Sequence, residues 1–393
     1  KNKELIYSQG LALFLADAVT YLTGHVTKTD GNSIWITVLI LMGQVSFAAV
    51  YTLGSNLLFC HLYGRKEAAV LYGSSEAFEK MENLKQISDR IHVKMWIRIL
   101  EVTPEILEQL KNVDLVILQE ADKVQRDKIL RYCAGNGIEV YLKPEMEDVL
   151  ISTMKAVSVN GTMLLQMENK DERPVYEIMK RLMDVCLSAA GLIVLSPVML
   201  LTAVLIKAQD GGTVLYRQKR LTRNGKIFEI YKFRSMKMDA EKDGKARLAE
   251  KSDDRITSVG KWIRMTRIDE LPQFINVLKG DMSIVGPRPE RPELAEKYTE
   301  ENPEFAIRLK VKAGITGFAQ VYGRYSTVPL EKARMDAYYI GNASVLMDIR
   351  LILATAKVIF MKESSEGIEK TESKAENRAK NKAYKMTKER ETA

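Results

Sequence analysis

A chain of 393 residues with 46 % hydrophobic and 28 % charged residues has the average composition of a globular protein, yet its apolar residues are unevenly placed. Its three cysteines, Cys60, Cys133 and Cys186, lie far apart, which excludes a disulfide framework and a metal-ligand spacing. A net charge of +8 leaves nucleic acid, anionic lipid and phosphorylated substrates open as partners, so position along the chain has to decide.

The chain starts at Lys1 and shows no basic-apolar-small cleavage pattern, so no signal peptide is expected and further membrane spans are expected upstream. Leu5 to Val26 is mostly apolar, interrupted by Gln9 and Asp17, and reaches the roughly 20 residues that a bilayer crossing needs. A second run goes from Ile34 to about Leu62, with Trp35 at one border and Arg65-Lys66 beyond the other. The positive-inside tendency places Arg65, Lys66, Lys1 and Lys3 in the cytosol and the Lys28 to Ser33 loop outside, so residues 1–66 are expected to form N-terminal transmembrane helices.

Residues 67–160 alternate strand and helix patterns and predict a Rossmann-like α/β module. Ala68 to Tyr72 reads as a strand ending at Gly73, Glu76 to Ile87 as a helix, and Val113 to Leu118 and Ile138 to Leu142 as further parallel strands. Ser74-Ser75-Glu76 supplies none of the companion glycines of a dinucleotide fingerprint, so NAD binding is not expected. A regulatory or oligomerising role is expected instead.

An apolar run from Leu182 to Ile206 is flanked by Lys180-Arg181 and Lys207, and Ser196-Pro197 lies near its middle. Proline removes one backbone donor and frees the carbonyl four residues earlier, that of Ile193, while the Ser196 hydroxyl can bond a nearby carbonyl. Cations at both flanks favour the cytosolic side, so residues 177–207 are expected to form a re-entrant membrane helix, with a kinked spanning helix as the alternative. Residues 208–362 are expected to be a mostly α-helical domain with a small β element, and 363–393 a charged, solvated tail.

The chemistry-bearing strings lie between Tyr216 and Asp348. Asp269-Glu270 opens the short helical pattern Leu271-Pro272-Gln273-Phe274-Ile275-Asn276-Val277-Leu278, which Gly280 ends, so one carboxylate could be an N-cap. Arg264 and Arg267 precede the pair within a turn, and a helix N-terminus also favours phosphate, so the carboxylates equally suit a divalent cation and a pyrophosphate. Mg²⁺ is the expected metal because it takes one or two carboxylates plus phosphate and water oxygens. In Gly286-Pro287-Arg288-Pro289 the two prolines stiffen the backbone around Arg288, whose guanidinium can grip phosphate oxygens in a fork. Lys232 and Arg234 alternate with Tyr231 and Phe233 at strand period, which fits either a solvated strand face or a phosphate-facing edge.

These strings, together with Lys279-Gly280-Asp281-Met282-Ser283 and their order and spacing, make residues 177 to 362 resemble the bacterial sugar transferases of the monotopic phosphoglycosyl transferase family. The whole chain resembles the larger polyprenyl glycosylphosphotransferases, which usually carry four membrane helices before the α/β module where two are visible here. The resemblance implies transfer of a sugar-1-phosphate from a nucleotide sugar, with UDP as the family expectation, to polyprenyl phosphate. It makes Asp269 the nucleophile and Glu270 its partner, with Mg²⁺ at the dyad, and places Lys232, Arg264, Arg288, Arg324 and Asp336 at substrate-binding positions. It also matches the Ser196-Pro197 break of a re-entrant helix. The fold class implied is an α/β membrane protein of the bacterial inner membrane, catalytic on its cytoplasmic face and able to form a homo-oligomer. Nucleic acid is not an expected partner, since no recognition motif is present and the paired acids would be left unexplained. Leu346, Ile349, Leu353 and Ala356 recur near helical period with Arg350 and Lys357, which fits an interfacial helix or a core-packed one.

Overall fold

The computed structural model describes residues 9, 10, 13, 16, 17, 20, 21, 34–74, 78, 91–167, 173–238, 255–323 and 327–359. The chain forms two compact units, Lys1–Pro144 and Glu145–Ala393. In the first, Ile34–Tyr63 is a helix of 30 residues, α1, matching the second apolar run. Trp35, Phe47, Val50 and Leu57 face outward along it, an apolar surface that water would not favour and lipid would. Gln9, from the first run, accepts a hydrogen bond from the Thr52 hydroxyl at 2.9 Å, the kind of polar contact that joins apolar helices. The rest of that run lies largely outside the described residues.

Strands β1 (Lys66–Tyr72), β2 (Ile91–Arg98), β3 (Leu115–Gln119) and β4 (Glu139–Leu142) form a parallel sheet in the order β2-β1-β3-β4. Ala69, Leu71, Val116 and Leu118 point to one face, against Leu110 of helix α2 (Pro104–Leu110) and Ile129 and Cys133 of α3 (Lys123–Asn136). Ala68, Val70, Leu115 and Ile117 point to the other. This two-residue alternation within continuous apolar strands is what burial on both faces requires. Thr103 and Asp122 cap the two helices through their side chains, and Gly137 in the left-handed region ends α3. Gly73 serves close backbone packing: a Cβ there would lie 2.0 Å from the Glu120 carbonyl oxygen. The helix expected over Glu76 to Ile87 lies outside the described residues, Phe78 excepted.

The second unit opens with helix α4 (Met146–Ile151), whose Met146 and Val149 pack with Ala295, Phe305, Ala333 and Ala337 of the same unit. Sequence carried the α/β module to residue 160; this packing draws the division between Pro144 and Glu145 instead. A hairpin of β5 (Lys155–Val159) and β6 (Thr162–Gln166) follows, turned by Asn160 and Gly161, both at positive φ.

Helix α5 (Pro174–Asp210) then carries 37 consecutive helical residues, a contour of about 55 Å at 1.5 Å per residue, so the break expected at Ser196-Pro197 does not interrupt the helix. Its buried positions are Asp184, Ser188, Thr202 and Ile206, whereas Ile193, Val194, Leu200, Leu201 and Val204 are exposed, the reverse of a helix in a soluble core. At the proline, the Ser196 hydroxyl donates to the Ile193 carbonyl at 2.7 Å, which satisfies the acceptor that Pro197 leaves free.

Beyond α5 lie an antiparallel pair, β7 (Leu215–Leu221) and β8 (Ile227–Phe233), helix α6 (Ser258–Met265), a 3₁₀ turn Ile268–Glu270 and helix α7 (Gln273–Lys279). Strand β9 (Met282–Val285) pairs in parallel with β10 (Ala313–Thr316) across helix α8 (Pro292–Glu301) and a 3₁₀ segment, Pro303–Lys310. Helices α9 (Phe318–Tyr322), α10 (Pro329–Asn342) and α11 (Val345–Ile359) complete the described unit. Phe228, Ile230, Val277, Met282, Val285, Tyr339 and Leu351 form its main core. On α11, Leu346, Ile349 and Leu353 are exposed while Asp348 and Leu351 are buried. Its two faces are therefore divided as an interfacial helix requires. The tail 363–393 lies outside the described residues.

Candidate active site

The acidic pair sits on the 3₁₀ turn between α6 and α7. Arg267, just before it, takes the left-handed conformation at φ 55°, a strained geometry for a side chain with a Cβ, and turns the chain so that Asp269 and Glu270 follow in one tight bend. Neither carboxylate caps α7: its first turn has no side-chain cap bond, so the N-cap alternative does not hold.

Asn276, with no exposed surface, sets the distance from this turn to β8. Its Oδ1 accepts from the Tyr231 amide at 3.0 Å and its Nδ2 donates to the Glu229 carbonyl at 2.7 Å, so the side chain pairs with the strand edge as a neighbouring strand would. Lys232, the next residue on β8, thereby reaches Glu270 Oε1 at 2.8 Å. Arg288 Nη2 meets the same oxygen at 2.6 Å, and Arg267 lies 3.9 Å from Oε2.

The two carboxylates consequently differ. Burial works to raise the Glu270 pKa, but Arg288 and Lys232 outweigh it and hold the group well below the usual carboxylate range. Burial, reinforced by the charge of Glu270, pushes Asp269 up to about 6 despite Lys232, Arg264 and Arg288. Among the described residues the Asp269 carboxylate accepts no hydrogen bond, so one acid is fixed and charged and its neighbour is left with oxygens to offer.

The turn Gly286-Pro287-Arg288-Pro289 owes its shape to backbone packed on backbone. Gly286 N donates to Thr316 O and Gly314 N to Pro287 O, each at 2.8 Å. Added Cβ atoms at Gly286, Gly314 and Gly317 would all fall within 2.3 Å of backbone atoms, which explains the glycines of the 313–317 string. Arg288 itself stays 45 % exposed while bound to Glu270, so its free edge can meet a ligand.

Lys232, Arg264, Asp269, Glu270 and Arg288 thus gather in one place, as the charge interactions on Asp269 and the bonds to Glu270 attest. Asp336 is only 1 % exposed and is bound to Arg308 at 2.9 Å, beneath the site rather than on its surface. Arg324 lies outside the described residues. Arg234, expected beside Lys232 on a charged edge, is buried in an ion pair with Asp210 at the end of α5.

Several residues not expected at the site hold it to α5. Arg181 donates to the carbonyls of Val277 and Leu278 at 2.7 and 2.8 Å, capping the helix that follows the dyad. Asp184 accepts from Ser283 Oγ and Ile284 N, and Lys180 pairs with the buried Asp348 at 2.8 Å. Ile268, beside Asp269, packs against the buried cluster of Ile206, Phe233 and Ile263, as do Met199 and Ala203 toward the far end of α5.

The described residues include no cluster of three or more His, Cys, Asp or Glu side chains able to hold a metal alone. A divalent ion shared with a ligand's phosphate oxygens does fit: among the described residues no donor occupies the Asp269 carboxylate, which stands beside a second acid, the donor chemistry Mg²⁺ takes.

Fixed cations and a paired acid thus share one unit with a helix long and apolar enough to cross a membrane. Residues 175–362 match the family model described as Bacterial sugar transferase. The chain is 39 % identical over 236 residues to the UDP-N-acetylgalactosamine-undecaprenyl-phosphate N-acetylgalactosaminephosphotransferase of Aeromonas hydrophila, covering 59 % of this chain and 55 % of that one. It is 36 % identical over 245 residues to the UDP-glucose:undecaprenyl-phosphate glucose-1-phosphate transferase of Escherichia coli K12, covering 61 % and 53 %. With the exopolysaccharide production protein PSS of Rhizobium leguminosarum bv. phaseoli, identity is 42 % over 187 residues, 45 % of this chain and 93 % of the relative. The chain therefore belongs to the bacterial sugar transferases, and it spans about half the length of the first two relatives.

Proposed function

We propose that the protein transfers a sugar-1-phosphate from a nucleoside diphosphate-sugar, a UDP-sugar by analogy with these relatives, to undecaprenyl phosphate. This would be the initiating membrane step of an exopolysaccharide, capsule or O-antigen. The observation that carries the reading is the asymmetry of the dyad: Glu270 is locked by Lys232 and Arg288, while among the described residues none donates a hydrogen bond to the Asp269 carboxylate.

In this mechanism an Asp269 oxygen attacks the phosphorus nearest the sugar. The bond from that phosphorus to the bridging oxygen breaks, nucleoside monophosphate leaves with the oxygen, and the phosphosugar stays on the carboxylate. An oxygen of the polyprenyl phosphate then attacks the same phosphorus, the carboxylate leaves, and a polyprenyl diphosphate-sugar results. Arg288 and Lys232, already oriented by Glu270, stabilise charge on the transferred phosphoryl oxygens, where fixed electrostatics act most strongly. Mg²⁺ held by Asp269 and Glu270 would supply charge neutralisation at the pyrophosphate.

The placement of α5 supports a shallow, re-entrant disposition at the cytoplasmic face of the inner membrane. One end of the helix binds the catalytic unit through Lys180 and Asp184, the other through Met199, Ala203 and Ile206, so both ends belong to one side. Such a helix sets the site at the headgroup plane, where a soluble nucleotide sugar and a lipid phosphate can both reach it. Incubation of the detergent-purified protein with undecaprenyl phosphate and a panel of UDP-sugars, followed by mass spectrometry of the lipid, tests the reaction. A lipid diphosphate-sugar with one sugar of the panel is expected; an unchanged lipid with every nucleotide sugar would refute it.

A further inference from the structure

Arg288 does its work at the dyad, but nothing in its own side chain fixes where its backbone sits. That backbone is held from beneath. Arg308, on the 3₁₀ segment after α8, is 7 % exposed, and its Nη2 donates both to the Arg288 carbonyl at 3.1 Å and to Asp336 Oδ2 at 2.9 Å. Its guanidinium carbon also lies 4.7 Å from the centre of the Phe305 ring. Asp336 comes from the middle of α10, a different element, and is 1 % exposed. One side chain therefore ties α10 to the single peptide that carries Arg288.

The arrangement is costly for mere stability. Burying both members of an ion pair gives up hydration that the pairing seldom recovers, and an apolar pair of the same volume often serves as well. What an apolar pair cannot do is donate to a specific carbonyl. Arg220 repeats the device one residue on, donating to Pro289 O at 3.1 Å, so consecutive carbonyls of the turn are each held by an arginine. Above the turn, Arg288 reaches Glu270 at 2.6 Å with little slack.

We propose that Asp336 and Arg308 are positioning residues for the transfer: Asp336 orients Arg308, Arg308 fixes the Arg288 carbonyl, and the Arg288 guanidinium is thereby aimed at the phosphoryl group on the dyad. Asp336 does not touch substrate. This rests on the reading of Arg288 as a phosphate ligand. Displacing a charge-stabilising group by about 1 Å can cost roughly 10²-fold in rate, so the relay is expected to act on turnover more than on substrate affinity.

The test is a double-mutant cycle on the full chain in detergent, measuring kcat, KM for the nucleotide sugar and the thermal midpoint for Arg288→Met, Asp336→Asn and the double variant. Asp336→Asn is expected to lower kcat on the order of 10²-fold with KM changed less than about threefold, and to lower activity no further once Arg288 is Met. If the two losses multiply in the double variant, Asp336 acts independently of Arg288 and the proposal fails while the reading of Arg288 stands. If Arg288→Met is as active as the wild type, the reading of Arg288 fails first and the proposal with it. Should Asp336→Asn not fold, Arg308→Lys, which keeps the buried charge pair, goes through the same cycle: losses that do not multiply support the relay, and losses that multiply overturn it.

Discussion

Asp269→Asn should abolish transfer and yet make the metal-free protein more stable. In the fold the Asp269 carboxyl is raised to about 6 by burial and by the charge of Glu270, about two units above an ordinary aspartate. At about 1.4 kcal/mol per unit this sets an upper limit of about 3 kcal/mol on the cost of keeping the group ionised at pH 7. A raised carboxyl is favoured by the fold when protonated, so its contribution is fully present below pH about 4 and is lost as pH rises through about 6. The amide removes the charge and with it the loss. With chelator at pH 7, Asp269→Asn is expected to unfold roughly 3–8 °C higher than the wild type in a detergent thermal scan, and the gap should close below pH about 4. Mg²⁺ added together with the nucleotide sugar should stabilise the wild type more than the variant, because the ion needs phosphate oxygens beside the carboxylates. An Asp269→Asn protein less stable than the wild type at pH 7 in chelator would refute the electrostatic description of the dyad.

Arg288→Lys keeps the charge but loses the fork that meets Glu270 and leaves an edge for phosphate; activity should fall at least tenfold in the lipid-product assay with the thermal midpoint held. Gly286→Ala places a methyl 2.3 Å from the Lys312 carbonyl oxygen, and a fall in midpoint on the order of 10 °C with loss of activity is expected from thermal scans. Cysteines introduced at positions 178 and 210, on either side of the apolar run, should be labelled from the same side of sealed vesicles; labelling from opposite sides would show that α5 crosses the membrane.

Much of this was legible in the sequence where physics is local. The apolar run from Ile34, the strands around Val70, Ile117 and Val140, and the Ser196-Pro197 pair with its freed carbonyl all follow from hydrophobic period and proline chemistry. That Asp269, Glu270, Lys232 and Arg288 belong to one site was implied by the resemblance of their motifs to the family, since charge type near glycine and proline left each of them open to a surface or capping role. What was not legible depends on contacts between distant segments. Arg308 and Asp336 are 28 residues apart and meet only because α10 packs on the 3₁₀ segment, and Asn276 looks like any polar helix residue until β8 lies beside it. Arg234 shows the converse: strand alternation placed it beside Lys232, but the strand ends at Phe233 and Asp210 draws the side chain inward. The module boundary moved from 160 to 144 because Met146 and Val149, unremarkable in sequence, complete the core of the second unit.

The central claim is that Asp269 carries the phosphosugar between two displacements. Incubation of the enzyme with Mg²⁺ and its nucleotide sugar, in the absence of polyprenyl phosphate, followed by quantification of released nucleoside monophosphate and peptide mass spectrometry, tests it directly. The expected result is release up to one equivalent per enzyme and a phosphosugar mass on the peptide containing Asp269, both absent in Asp269→Asn. Nucleoside monophosphate that appears only when the lipid is present, with no adduct trapped, would mean direct transfer in a ternary complex and would contradict the account.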